Sequence, residues 1–194
     1  MKFAFALAAS LLTTLAIQGQ EFHLGAPVSD FQLVDLQGAS HSFASLKGDT
    51  TVVAFIAVRC PVSNAYNQRM EALFKDYSSK GVKFLFVNAN VNEPTQEVKE
   101  HAQQVGFTFP VYRDRGNVAD LFNAQVTPET YVIDKQGVLR YHGAIDDSQN
   151  EARIRKHGLR AALDEVLAGK PVTVAETKAF GCSVKRARPH RATE

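Results

Sequence analysis

The residue of this sequence best placed to support chemistry is Cys60. It follows an apolar, β-branched run at residues 51–58 and precedes Pro61. Proline is favoured at the first position of a helix, so we expect Cys60 to be the N-cap of a helix that begins at Pro61. The backbone N–H of Ser63, the helix dipole and the charge of Arg59 would then favour the nucleophilic thiolate. The alternative is that Cys60 is a small buried apolar residue without chemistry.

The second cysteine of the sequence, Cys182, is the candidate partner of Cys60. Ser63 stands three residues after Cys60, where a local partner cysteine is often found, and it cannot resolve a disulfide or a sulfenic acid. Cys182 lies behind Gly181 in a stretch without periodicity, which we expect to be mobile. We predict a Cys60–Cys182 bond, and we favour a labile redox centre over a permanent structural link.

The N-terminus has the pattern of a secretory signal peptide. Lys2 is followed by a mostly apolar run at residues 3–17 and then by small and polar residues. That run is shorter than the roughly 20 residues that a membrane span needs, and we expect no span in the mature chain. We therefore predict an exported protein, periplasmic or secreted, with a signal peptide at 1–20. The alternative is that this segment stays uncleaved as an N-terminal anchor. The oxidising compartment that export implies would allow the two cysteines to pair.

Composition indicates one globular domain. The chain has 194 residues, of which 45% are hydrophobic, and a formal net charge of only +2. That charge gives no electrostatic argument for a nucleic-acid partner. We divide the chain into the signal peptide, a domain at 21–175 and a basic cysteine-containing tail at 176–194.

Helices and strands are predicted to alternate, which indicates an α/β protein with a mixed sheet. We expect a hairpin at 31–43, buried parallel strands at 51–58 and 82–88, and a helix between them over 61–80. Further predictions are a helix at 95–105, a strand at 109–112, a short helix capped by Asn117, a hairpin at 130–145 and a helix over 151–168.

The motifs CPVSNAY, VTP at 126–128, TPETYVIDKQGVLRYHGAIDD and GCSVKR resemble the redoxin group related to alkyl hydroperoxide reductase and thiol-specific antioxidant proteins. The resemblance runs from about residue 25 to 186. It implies a thioredoxin-like fold: a central mixed sheet flanked by helices, with an N-terminal β-hairpin. It also implies that Cys60 is the reactive cysteine, that Pro128 is a cis-proline facing it, and that the backbone at Thr127 pairs with an extended substrate.

Two departures from the family pattern leave the reaction open. Ser63 replaces the second cysteine of a thioredoxin, and Ala57 and Val53 replace the hydroxyl residue and the proline of a peroxiredoxin. The substrate is therefore either a disulfide or a peroxide, with an unknown electron donor. Glu129 is a candidate proton shuttle for Cys60, or else a solvated side chain.

Two other functions compete with catalysis. Cys60 with Cys182 or a histidine could bind Cu(I), which prefers thiolate ligands, or the domain could be an interaction module without turnover. The histidines are scattered without zinc spacing, and no phosphate loop is present, so we expect no bound cofactor or metal.

Overall fold

The computed structural model describes residues 21–186. The predicted signal peptide and the last eight residues of the basic tail lie outside them.

A seven-stranded mixed sheet forms the centre of the domain, in the order β2-β1-β5-β4-β3-β7-β8. β3 and β4 are parallel neighbours, as are β4 and β5, and the other pairs are antiparallel. Both hairpins and the buried parallel strands are therefore confirmed. The seven strands are β1 (Gln32–Asp35), β2 (Ser40–Ser42), β3 (Thr50–Ile56), β4 (Val82–Asn88), β5 (Val111–Arg113), β7 (Glu129–Ile133) and β8 (Leu139–Gly143). A separate two-stranded sheet pairs β6 (Val126–Thr127) with β9 (Cys182–Ser183).

The helices are α1 (Phe43–Leu46), α2 (Pro61–Ala65), α3 (Asn67–Ser78), α4 (Thr95–Gln104), α5 (Val118–Leu121) and α6 (Gly158–Leu167). Every residue of β3 is buried. Val52 and Ala54 pack on one face with α3 and α6, while Val53 and Phe55 pack on the other with α1 and α5. The continuous apolar run of β3 follows from this burial on both faces.

Three local predictions need correction. The helix expected over 61–80 is interrupted at Tyr66, which ends α2 and precedes α3. The helix expected from residue 151 begins at Gly158, because Asn150 and Asp147 accept hydrogen bonds from the backbone N–H groups of Ala152 and Arg155 and hold a 3₁₀ turn instead.

Asn117 occupies the N-cap position of α5, but its side chain makes no capping hydrogen bond. The Asp114 carboxylate accepts the N–H of Ala119 in its place.

The expectation of an irregular tail is wrong for the part that the structure describes. The backbone at Ala175 and Thr177 pairs with His142 of β8, and β9 then pairs with β6. Long-range contacts give this stretch its regular structure, and these contacts leave no local periodicity in the sequence.

Candidate active site

Cys60 lies at the carboxyl end of β3 and is the N-cap of α2, as predicted. Its Sγ atom accepts a hydrogen bond from the backbone N–H of Ser63 at 3.3 Å. The Ser63 hydroxyl accepts the N–H of Ala57 at 3.1 Å and so ties the strand end to the helix start. Cys60 is only 2% exposed. This geometry offers a hydrogen bond to a thiolate but leaves the sulfur covered.

The cover over Cys60 is its partner cysteine. Cys60 and Cys182 are joined by a disulfide across 122 residues, with their Cα atoms 5.8 Å apart. Cys182 itself is half-buried, and the neighbouring Ser183 and Gly181 are exposed. The structure therefore contains the predicted pairing.

The Thr127–Pro128 peptide bond is cis, as the resemblance implied. The carbonyl oxygen of Thr127 lies 3.4 Å from the Cys60 sulfur. Thr127 is also the residue that pairs with Cys182 between β6 and β9. The strand edge expected to receive an extended substrate is thus occupied by the chain's own cysteine.

Residues 180–186, which we call the C-terminal segment, lie along a groove beside Cys60. The Val184 N–H donates to Gln125, and the Lys185 N–H donates to the Asn90 side chain at 2.7 Å. The Lys185 carbonyl accepts the N–H of Val91. One side of the groove is therefore the loop before Pro128, and the other is the loop after β4.

A buried glutamate that the sequence did not point to holds the backbone before Cys60. Glu93 is 1% exposed, and its carboxylate accepts the N–H groups of Val58 at 3.0 Å and Arg59 at 2.9 Å. The same carboxylate accepts the side-chain N–H of Asn88. Glu93 therefore fixes the turn from β3 into α2.

Arg59 presents its backbone, rather than its charge, to this turn. Its guanidinium makes a bidentate ion pair with Glu97 of α4 on the protein surface. Arg113 is buried and donates to the Asn88 side chain and to the carbonyl of Asn90.

The positions of Asn88 and Asn90 near the site could have been recognised from the sequence. Asn88 is the last residue of β4 and Asn90 follows it, and the carboxyl end of β4 lies beside that of β3 because the two strands are parallel. The carboxyl edge of such strands is where functional side chains gather. No comparable feature of the sequence indicates that Glu93 lies near the site.

Glu129 is buried rather than solvated. One carboxylate oxygen accepts the N–H groups of Gln125 and Val126, and the other contacts His142 Nε2 at 2.5 Å. Burial raises the pKa of Glu129, but the hydrogen bonds from His142 and the two backbone groups outweigh it and hold the pKa below its ordinary value. Glu129 thereby stabilises the β6 loop as a carboxylate.

Among residues 21–186, no group of three or more His, Cys, Asp or Glu side chains is arranged to hold a metal ion. Over the same residues, no helix is both long and apolar enough to cross a membrane.

A cysteine at the N-cap after a buried central strand, facing a cis-proline loop, defines a thiol oxidoreductase of thioredoxin-like fold. The family described as AhpC/TSA matches residues 24–142. The chain belongs to that family. The predicted resemblance to redoxins and the predicted fold class are thus confirmed.

Two curated relatives are named as a thiol-disulfide oxidoreductase and as a thioredoxin-like protein. Thiol-disulfide oxidoreductase ResA of Halalkalibacterium halodurans is 32% identical over 120 residues, which cover 61% of this chain and 67% of that protein. Thioredoxin-like protein YneN of Bacillus subtilis is 30% identical over 118 residues, which cover 60% of this chain and 68% of that protein. The prediction that the protein is an oxidoreductase is therefore confirmed.

Solved structures match more of the chain. An uncharacterized conserved protein from Geobacillus kaustophilus is 31% identical with a TM-score of 0.80, covering 87% of this chain and 94% of that one. A hypothetical protein from Sinorhizobium meliloti 1021 is 29% identical with a TM-score of 0.79, covering 88% and 98%.

Proposed function

We propose that this protein is an exported thiol-disulfide oxidoreductase in which Cys60 attacks a disulfide and Cys182 resolves the product. One observation carries the proposal: a cysteine on an extended strand, paired with Thr127, is bonded to Cys60. That arrangement is the one expected of a mixed disulfide between Cys60 and a polypeptide substrate.

The reaction runs in two exchanges. The Cys60 thiolate attacks one sulfur of the substrate disulfide, which forms a Cys60–substrate bond and releases the other substrate sulfur as a thiolate that takes up a proton. The Cys182 thiolate then attacks the Cys60 sulfur, and the second substrate sulfur leaves as a thiolate that takes up a proton. The substrate disulfide is reduced, and Cys60–Cys182 becomes the oxidised pair.

Turnover needs a dithiol donor. Such a donor reduces Cys60–Cys182 by the same two exchanges and becomes a disulfide itself. Residues near Cys60 have separate roles in this scheme. Ser63 donates its N–H to the attacking sulfur, Thr127 aligns the substrate backbone, and Glu129 and Pro128 shape the loop that carries Thr127.

The absence of a hydroxyl at position 57 supports disulfides over peroxides. Ala57 stands where the family's peroxide-reducing members carry Thr or Ser, and its backbone N–H is bound to Ser63. No side chain at that position can polarise an O–O bond.

Export is part of the proposal. The sequence of residues 1–20 supports it, and an oxidising compartment allows the cysteine pair to form. N-terminal sequencing of protein from the extracytoplasmic fraction should give a first residue near position 21. An unprocessed Met1 in the cytosol would contradict this part.

The activity test compares two oxidants with one dithiol donor. We expect the wild-type protein to have a higher kcat/KM for a protein disulfide than for hydrogen peroxide. Cys60→Ser should lose both activities, whereas Cys182→Ser should form one mixed disulfide and then stop. A higher kcat/KM for hydrogen peroxide, or activity that survives in Cys60→Ser, would overturn the proposal.

A further inference from the structure

The groove beside Cys60 holds four residues of a peptide segment, and each of the four makes a different kind of contact. The occupant is the C-terminal segment. Its cysteine lies on Cys60, and its backbone pairs with Val126 and Thr127. The residues before and after that cysteine contact defined elements of the domain.

The position before the cysteine admits only glycine. Gly181 has a φ of +153°, and a Cβ atom built there would overlap the carbonyl oxygen of Thr127. That oxygen belongs to backbone on the strand edge itself, so it has little freedom to move aside. Any other residue would push the strand away from Thr127.

The second position after the cysteine takes an aliphatic side chain. Val184 is 8% exposed and packs in the apolar cluster that includes Phe22, Val118 and Phe122. The residue between, Ser183, is exposed, as expected for alternation along a strand.

The fourth position after the cysteine takes an arginine. The Arg186 guanidinium contacts the Asp120 carboxylate at 2.5 Å and donates to the carbonyl oxygens of Ala119 and Ala124. These acceptors lie in α5 and in the turn after it, so a negative side chain would be repelled here.

From these contacts we infer that the groove recognises extended polypeptides whose cysteine lies in the pattern Gly-Cys-x-aliphatic-x-Arg, with the C-terminal segment as the built-in example. This inference rests on the proposed function, because it names the substrate class of the same site. In the reduced protein the segment and the substrate compete for one strand edge. The Cys60 thiolate attacks the substrate cysteine's sulfur, a Cys60–substrate bond forms, and the former disulfide partner leaves as a thiolate that takes up a proton.

The test uses the full chain with its own segment loosened. In Gly181→Ala/Cys182→Ser the segment lacks both the glycine and the thiol that seat it. The probe is the nonapeptide KAFGCSVKR, matching residues 178–186, with its cysteine in a disulfide with thionitrobenzoate. Attack by Cys60 on the peptide sulfur releases the coloured thionitrobenzoate thiolate, whose appearance gives the rate.

We compare this peptide with three others: one with alanine in place of the glycine, one with glutamate in place of the last arginine, and one with scrambled flanks. The loss of one or two backbone hydrogen bonds predicts that the alanine peptide reacts about tenfold more slowly than the matched one. The glutamate peptide should be slower too, by about threefold or more, with a difference that shrinks at high salt.

Two further variants control for the possibility that Gly181→Ala changes the reaction rates through a folding defect. Cys182→Ser alone keeps the competing segment, and it should react several-fold more slowly with the matched peptide than the double variant. Arg186→Glu/Cys182→Ser loosens the segment without changing Gly181, and it should still discriminate against the alanine peptide.

Equal rates for all four peptides would overturn the inference while leaving the proposed function intact, since Cys60 would still be exchanging. Failure of Cys60 to react with any of the activated disulfides would overturn the inference and the proposed function together.

Discussion

Cys182 and Thr127 are paired residues of the two-stranded β6–β9 sheet, so the partner of Cys60 arrives on a strand and not on a free tail. The carbonyl oxygen of Thr127 lies 3.4 Å from the Cys60 sulfur, which brings the backbone pairing and the disulfide to one point. Chemistry at Cys60 and occupancy of the strand edge are therefore coupled. Breaking the disulfide frees an edge, and Cys182 and a substrate backbone cannot both pair with Thr127 at the same time.

Glu93 should control the shape of the turn that carries Cys60. In Glu93→Gln one acceptor oxygen becomes an NH₂ group that faces a backbone N–H. Leaving a buried donor unpaired costs about 1–3 kcal/mol, and we expect that loss in the free energy of unfolding. The rate of thiol exchange at Cys60 should also fall, as measured with an activated disulfide on reduced protein.

Glu97→Gln is the matched control for Glu93. Glu97 contacts the same arginine, but through the exposed side chain of Arg59 instead of its backbone. Its substitution should change stability and exchange little. Equal effects of the two substitutions would show that Glu93 has no special role at this turn.

Glu129 predicts a specific acid sensitivity. Its pKa lies below the ordinary 4.5, so its contribution to stability is present above that pH and is lost as the pH falls through the folded-state value. In Glu129→Gln this contribution is missing at every pH. Urea unfolding from neutral pH down to about pH 3 should show the wild-type advantage narrowing towards acid. Parallel stability curves for the two proteins would contradict this account.

The N-cap position should make the Cys60 thiolate available at low pH. At pH values below roughly 8.5, the labelling rate of an ordinary thiol rises about tenfold for each unit of increase in pH. The Ser63 N–H bonded to the sulfur should flatten this dependence for Cys60 in the Cys182→Ser protein. The measurement is iodoacetamide labelling across pH, normalised to the plateau so that accessibility cancels. Cys182 in the Cys60→Ser protein is the control, and superimposable profiles would count against the N-cap effect.

The central β3–α2–α3–β4 unit could be predicted because its signals are local. Residues 51–58 and 82–88 are mostly apolar, and Pro61 and Gly81 mark the two ends of the helical stretch. The break at Tyr66 could not be predicted, because the Tyr66 hydroxyl is held by Asp146, which lies 80 residues further on.

The parts of the site whose residue type itself indicates chemistry could be predicted. The parts that depend on tertiary contacts could not. Cys60 and its pairing with Cys182 follow from residue type and cysteine number, and the role of Pro128 follows from the resemblance to redoxins. The ordered C-terminal segment and Glu93 do not, because each takes its position from hydrogen-bonding groups distant in sequence. Such partners leave no periodicity to detect.

The central claim is that Cys60 and Cys182 form an exchanging redox pair, and a redox titration tests it most directly. The full chain is equilibrated in dithiol–disulfide buffers of stepped potential, quenched by alkylation, and digested without reduction. Mass spectrometry then gives the fraction of linked Cys60 and Cys182 peptides. Because Cys182 is half-buried on a strand of only two residues, we expect the bond to form and break reversibly at a potential above about −300 mV, the range of labile disulfides. No linkage under oxidant, or a midpoint well below that value, would contradict the account.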